Sequence, residues 1–326
     1  MTTSKLRRAL VGTLALGAML STTGMLSAPV NAADYPSKTV LTVVPFGAGG
    51  GTDRWARVMS SVGFDVFKEG MRIQNRGGAG GTIGWKYMLD KGADGHTILL
   101  ASPTPVIAAM LEKKAPFDPA KVKIVAYYSN MRTTVMAPKG KDYDSWKGFL
   151  KYIKTAKKKP TYGATITHSI GLANILDQLG LAKKVIFVTY SGTGKAVNDY
   201  LGGHINMVGF TASTAITLTK KHNVIVNGSS NPYPKKVAKK LGKIPMAPDL
   251  GLKPFNPPRF IAMHPDTPDE QVKAMSAKFG KLLKMKPVKK LMGKLGEQIA
   301  FLPYDKATEE YQKVLKSSRR LLKLLK

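Results

Sequence analysis

Between residues 39 and 263 the chain alternates short β-branched apolar runs with amphipathic stretches of helical period. Residues 39–46 (TVLTVVPF) are apolar on both faces, the pattern of a strand buried inside a parallel sheet. Five small residues follow at 47–51 (GAGGG), and then Trp55, Val58, Met59 and Val62 recur at helical spacing. Thr52, with Asp53 in the first turn, reads as the start of that helix. The same order of strand, glycine loop and helix recurs from Met71 through 75–81 to a helix near 82–90. Further strands are predicted at 97–101, 122–128, 133–137, 161–166, 185–188, 205–210 and 224–226, with helices at 145–158, 170–179 and 195–201. After a strand at 260–263 the chain turns helical, at 269–283, 286–295 and 306–325. This alternation predicts an α/β protein with parallel sheets, in two units whose late helices return to the first. A length of 326 residues fits about two domains.

The first residues have a different logic. Lys5, Arg7 and Arg8 precede an apolar run over 9–20, the pattern of a Sec-type secretory signal. The run falls short of the ~20 apolar residues a membrane span needs. Val30 and Ala32 place small residues at the −3 and −1 positions of a cleavage site, so residues 1–32 are expected to be a signal peptide cut after Ala32.

Charge and composition then narrow the chemistry. Lys and Arg number 51 against 20 Asp and Glu, a formal net charge of +31 that falls to +28 without Lys5, Arg7 and Arg8. Such an excess points to an anionic partner. Export argues against nucleic acid, and no stretch resembles an RNP1 sequence or a zinc finger. Lysines such as Lys235, Lys236, Lys239, Lys240 and Lys243 are spaced along polar helix faces that water solvates. The absence of cysteine excludes disulfides, thiolate metal sites and a cysteine nucleophile. The five histidines never reach metal-ligand spacing, so neither a metal nor a cofactor is expected.

There is no G-x-S-x-G elbow and no evident carboxylate pair. His168, between Thr167 and Ser169, is the one general-base candidate, with a surface or cleft-lining histidine as the alternative. The leucines at 315, 321, 322 and 325 read as the docking face of a terminal helix.

The glycine loops are the positive signal. Glycine lets backbone N–H groups approach an anion, and a helix N-terminus adds partial positive charge. Neither nucleotide fingerprint fits. A G-x-G-x-x-G beginning at Gly47 or Gly49 meets Thr52 or Arg54 at its last position, and Gly194-Lys195 lacks the rest of a Walker A loop.

Four ordered segments resemble the substrate-binding receptors of tripartite tricarboxylate transporters, the Bug receptors. They are Tyr35-Pro36 with 43–53 (VVPFGAGGGTD), then 75–84 (NRGGAGGTIG), 93–99 (ADGHTIL) and 188–203 (VTYSGTGKAVNDYLGG). The resemblance implies a two-domain periplasmic-binding-protein fold of the type II-like, Venus-flytrap kind, with the ligand in the interdomain cleft. Domain one would take 33–131 plus 256–326, and domain two 132–255. It further implies a non-enzymatic periplasmic receptor, monomeric, that captures a small mono- or dicarboxylate and delivers it to the permease subunits of the transporter. The ligand would be gripped through bridging waters with no obligatory arginine.

Carried onto this chain, the loops implied are Phe46, Gly47, Gly50, Gly51, Thr52 and Asp53 against Tyr190, Ser191, Gly192 and Thr193. Asn75, Gly78, Ala79, Gly80, Ser102 and Thr104 would line the first domain's side. Thr165 and His168 fall in a segment, 162–169, that departs from the family's glycine- and serine-rich pattern, and 244–249 departs as well. Asp53 would repel a carboxylate at contact distance, so it is expected to accept from the helix start or a water instead. An exported sensor or enzyme on the same fold, or a basic polyanion-binding protein, remain the competing readings.

Overall fold

The computed structural model describes residues 35–111 and 117–322. The signal-peptide segment, residues 1–32, lies outside these, as does Leu325. The chain opens with β1 (Val40–Val44), α1 (Gly51–Ser61), α2 (Phe64–Phe67), β2 (Met71–Asn75), α3 (Thr82–Leu89), β3 (Thr97–Ala101), α4 (Pro103–Leu111) and β4 (Lys123–Asn130). It crosses to a second sheet through β5 (Thr134–Pro138), α5 (Trp146–Thr155), β6 (Thr161–Ala164), α6 (Ile166–Asp177), β7 (Ile186–Thr189), α7 (Thr193–Leu201), β8 (Met207–Phe210), α8 (Ala212–Leu218), β9 (His222–Asn227) and α9 (Lys235–Leu241). It then returns as β10 (Pro258–Met263), α10 (Asp269–Lys284), α11 (Lys286–Lys294), β11 (Ile299–Leu302) and α12 (Tyr304–Leu321).

The first sheet has the order β11-β4-β10-β3-β1-β2 and the second β7-β6-β8-β5-β9. Strands joined by local helical crossovers run parallel, as β1 does with β2 and β3, and β6 with β7 and β8. The expectation of wholly parallel sheets is corrected here. β10 runs antiparallel to β3 and β4, β11 antiparallel to β4, and β5 antiparallel to β8 and β9. The reason is the route of the chain. β5 and β10 enter their sheets from the other lobe rather than through a right-handed crossover, so they arrive in the opposite sense.

Strand β3 shows why its sequence, TILLA, is apolar at every position. Ile98 and Leu100 pack on one face with Val40, Trp55 and Phe279; Leu99 and Ala101 pack on the other with Trp85, Phe117, Phe260 and Tyr311. Trp85 and Phe117 stack with centroids 4.6 Å apart. Helix α12 closes the second face, and Leu315 and Leu322 are buried against the protein as their spacing foretold.

Other elements differ from the pattern reading. Helix α6 begins at Ile166 rather than 170, because the strand before it ends at Ala164 and Thr165 already turns the chain. Helix α4, which the pattern reading did not assign, carries prolines at 103 and 105; proline is tolerated in a first turn, where its missing N–H is not needed. Strand β11 and helices α2 and α8 are too short to leave a period.

The two crossings run side by side. Met131 N–H donates to Pro257 carbonyl at 2.7 Å, and Gly228 N–H to Thr133 carbonyl at 3.1 Å. Beside them, buried Arg132 donates to the carbonyls of Asn231 and Gly296, both at 3.0 Å, to that of Pro232, and to Gln298 Oε1. One guanidinium thus fastens the segment after β9 to the segment before β11.

The base of the first glycine loop depends on close backbone approach at Gly84. A Cβ there would lie 2.6 Å from Pro45 Cα and 2.8 Å from the Arg76 carbonyl. Gly84→Ala in mid-helix would ordinarily gain about 1 kcal/mol of helix propensity. We expect the reverse, a destabilisation of about 1–3 kcal/mol from overpacking against main chain, read as a lower thermal midpoint. An unchanged or raised midpoint would show that this contact yields.

Candidate functional site

A cleft of about 750 Å³ opens where the C-terminal ends of strands in both sheets face one another. From the first sheet it takes residues 46–52, including Phe46, Gly47, Gly50, Gly51 and Thr52. Helix α1 starts at Gly51 with Gly50 as its cap and no capping side chain, so the first N–H groups of the helix are not claimed by a cap. Asp53 does not line the cleft. It is 1% exposed and lies under the loop, accepting from Gly49 N–H and Arg57 Nε, each at 2.8 Å, and from Asn75 Nδ2 at 2.9 Å. Burial alone would favour the neutral acid, but the hydrogen bonds from Arg57, Gly49 and Asn75 outweigh it and hold the carboxyl below its usual range. Asn75 also donates to the Phe46 carbonyl at 3.1 Å, so one amide ties β2 to the loop.

The second loop contributes less than its sequence suggests. Asn75 and Gly78 line the cleft, whereas Ala79 and Gly80 do not. They belong to a 3₁₀ turn, Ala79–Gly81, whose residues have φ of 43°, 63° and 101°. A Cβ at Gly81 would lie 2.5 Å from Pro105 Cγ, so this turn packs against α4 rather than presenting N–H groups to a ligand. Ser102 and Thr104 line the cleft from the start of α4. Thr104 Oγ1 also reaches Thr167 Oγ1 at 2.7 Å, a direct bond from the first lobe to the second.

From the second sheet come Thr165, His168, Ser191, Gly192 and Thr193. Gly192 caps α7 without a side chain, repeating the arrangement at α1. Tyr190 does not line the cleft; its hydroxyl donates to Asp199 Oδ2 at 2.6 Å. His168 is 1% exposed, so it is a cleft-lining histidine and not a surface one. Its Nδ1 pairs with Thr165 Oγ1 at 2.9 Å, and its Nε2 is buried with no partner. Burial first, and then the positive charge of Arg259, push its pKa down to about 3. The imidazole is therefore neutral at physiological pH, and at that basicity it is a weak proton acceptor.

Several lining residues carried no signal in the sequence. Met131, Lys195, Thr211 and Thr214 are among them, and Arg259 is the most consequential. It rises from the start of β10, 1% exposed, and pairs with buried Glu297 at 3.0 Å. Its Nη2 stands 3.2 Å from where a Cβ on Gly51 would be. Nothing local distinguishes this arginine among 51 basic residues; only the return of the chain brings it beneath the glycine loop. Among the described residues no group of three or more His, Asp or Glu side chains is placed to hold a metal ion.

Comparison with known proteins agrees with this architecture. BugT of Bordetella pertussis is 32% identical over 196 residues, which are 58% of this chain and 59% of BugT. The chain thus spans under two thirds of that relative's length. Among solved structures, MatC from Rhodopseudomonas palustris with bound malate superposes with a TM-score of 0.73 at 22% identity, over 90% of this chain and 100% of that one. An R. palustris protein solved with adipate gives 0.78 at 17% identity, over 90% and 98%. These likenesses establish the two-domain Venus-flytrap fold. With residues 57–324 matched by the family described as the tripartite tricarboxylate transporter family receptor, the chain belongs to that family.

Proposed function

We propose that this protein is a periplasmic receptor that closes on a small mono- or dicarboxylate and presents the closed form to the membrane subunits of a tripartite tricarboxylate-type transporter. The observation that carries the reading is the meeting of two helices with glycine at the cap position and no capping side chain, α1 and α7, across one cleft of about 750 Å³. Both helix ends offer backbone N–H groups and partial positive charge to one anion. Ser102, Thr104, Thr165 and Thr193 add hydroxyls that orient carboxylate oxygens or bridging waters. The volume admits a small acid together with bridging waters. The ligands named for the R. palustris structures, malate and adipate, belong to the same class.

The working parts of the hinge would be domain one, 33–131 plus 256–326, and domain two, 132–255, acting as a monomer. A ligand that touches both lobes binds the closed state better and shifts the population toward it. The cleft residues are arranged for binding rather than turnover, and the buried, neutral His168 serves as a hydrogen-bonding wall. Delivery in the periplasm is supported by the export signal expected at residues 1–32 and by membership of the family.

Three outcomes test this. In a thermal-shift panel of aliphatic and aromatic mono- and di-acids, malate and adipate included, the true ligand at a hundredfold excess over its dissociation constant should add about 2.7 kcal/mol of stability. A flat panel would overturn the reading. Gly51→Asp should abolish that shift, because its side chain brings a carboxylate into the space beside Arg259; retained affinity by calorimetry would move the site elsewhere. The third outcome concerns pH. Below 6.5 the unfolded chain protonates His168 while the folded chain refuses the proton down to about 3, so stability contributed by the neutral ring is lost as pH falls through that window. His168→Gln should flatten this part of the stability–pH curve, and identical acid slopes in the two proteins would contradict it.

A further inference from the structure

A guanidinium is a planar fork of five N–H donors, with two edges that can each take a carboxylate. In Arg259 one edge is spent. Nη1 donates to Glu297 Oε2 at 3.0 Å and to Ser129 Oγ at 3.2 Å, and Nη2 reaches Glu297 Oε1 at 3.5 Å. Glu297 therefore holds the end of the fork, and it borders an outer groove rather than the ligand cleft. The other edge consists of Nε–H and the second hydrogen of Nη2. Nε is buried and has no hydrogen-bond partner. Nη2 stands beside Gly51, at the first residue of α1.

A buried, charged donor without an acceptor is costly to a folded protein, and Arg259 is one of the residues that line the cleft. Glu297 neutralises Arg259, so the guanidinium needs no second counter-charge to stay buried. The unspent edge still offers two parallel N–H bonds. The acceptor matched to two parallel donors of this spacing is a carboxylate.

We propose that the Nε–Nη2 edge of Arg259 binds the ligand's carboxylate directly and side-on, while Glu297 clamps the opposite edge and fixes the plane of the fork. The proposal rests on the carboxylate-receptor reading and gives it a charged anchor at the cleft floor, in place of a grip made only of glycine-loop N–H groups and water. The nearby uncharged His168, whose Nε2 is also buried and unpartnered, supplies a neutral contact without adding a second cation. A neutral amide of the same shape presents one acceptor and one donor to two donors, and is rejected.

The test uses calorimetry and thermal shift with malate, adipate and their diamides on four proteins: wild type, Arg259→Lys, Glu297→Gln and the paired variant Arg259→Gln/Glu297→Gln. The paired variant removes both charges together, so no buried ion is stranded, and circular dichroism checks its fold. Arg259→Lys keeps the charge but loses the fork. Each of these two should weaken carboxylate binding at least tenfold, and the paired variant should lose the wild type's preference for acid over amide. Glu297→Gln leaves the ligand as the sole counter-charge, so its thermal shift should exceed that of wild type.

If the paired variant or Arg259→Lys binds within twofold of wild type, or if the Glu297→Gln shift is smaller than wild type's, Arg259 is a structural residue and the proposal fails while the receptor reading stands. If wild type binds no carboxylate in the panel, both fail.

Discussion

The two sheets point the carboxyl ends of their parallel strands at one cavity, and nearly every property of the site follows from that constraint. Most lining residues sit in the first turn after β1, β2, β3, β6, β7 and β8, where chain leaving a sheet turns into a helix or loop. Such positions favour glycine, serine and threonine, because the backbone must turn sharply and the first N–H groups of a helix have no intrahelical acceptor. A ligand in the cleft therefore meets main chain and short hydroxyls on most sides. Arg259 enters the lining from β10, a strand that comes back from the other lobe.

What the sequence revealed and what it hid divide along the same line. The glycine loops at 47–51 and 191–193 are contiguous, and their chemistry is local, so residues from Phe46 to Thr52 and from Ser191 to Thr193 were readable and do face the cleft. Asp53 was named with the loop as a ligand-binding residue, yet it lies beneath the loop; its role as the acceptor that pins Gly49, Arg57 and Asn75 depends on β2 lying beside β1. Ala79, Gly80 and Tyr190 were plausible from their neighbours, and each is diverted by a specific partner. The first two are held in a turn against Pro105, and the third is bonded to Asp199. Arg259 was invisible because its significance lies in pairing with Glu297 and in the approach of Gly51, contacts between segments far apart in the chain. The direction of β10 was hidden for the same reason: apolar patterning tells that a strand is buried, not from which end it enters.

The charge excess also resolves into two populations. Among the described residues the lysines of α9 and α11 stand on exposed faces, and pairs such as Lys86–Asp90 and Lys313–Glu309 are exposed on both sides, where water and salt leave little net stabilisation. Arg132 and Arg259 are different, being almost wholly buried. The first spends its donors on carbonyls beside the crossings, and the second holds one edge to Glu297. Surface charge of this kind steers an anion toward the protein over about a Debye length and is weakened by salt. The buried ion pair of Arg259 with Glu297 is far less screened.

The central place of β10 has a consequence for how the molecule comes into being. The strand lies between β3 and β4, and Phe260 pairs with Ala101 and Tyr127 across the whole of the intervening second sheet. The second sheet is built from one continuous stretch, whereas the first must wait, with β3 and β4 each presenting an unpaired edge, until the chain returns. Closing so long an interval is entropically slow, and open edges are sites of misassociation. The glycine loop, Arg259 and Glu297 come together only when residues 258–302 have taken their places, so the cleft is incomplete until the chain has returned from the second sheet.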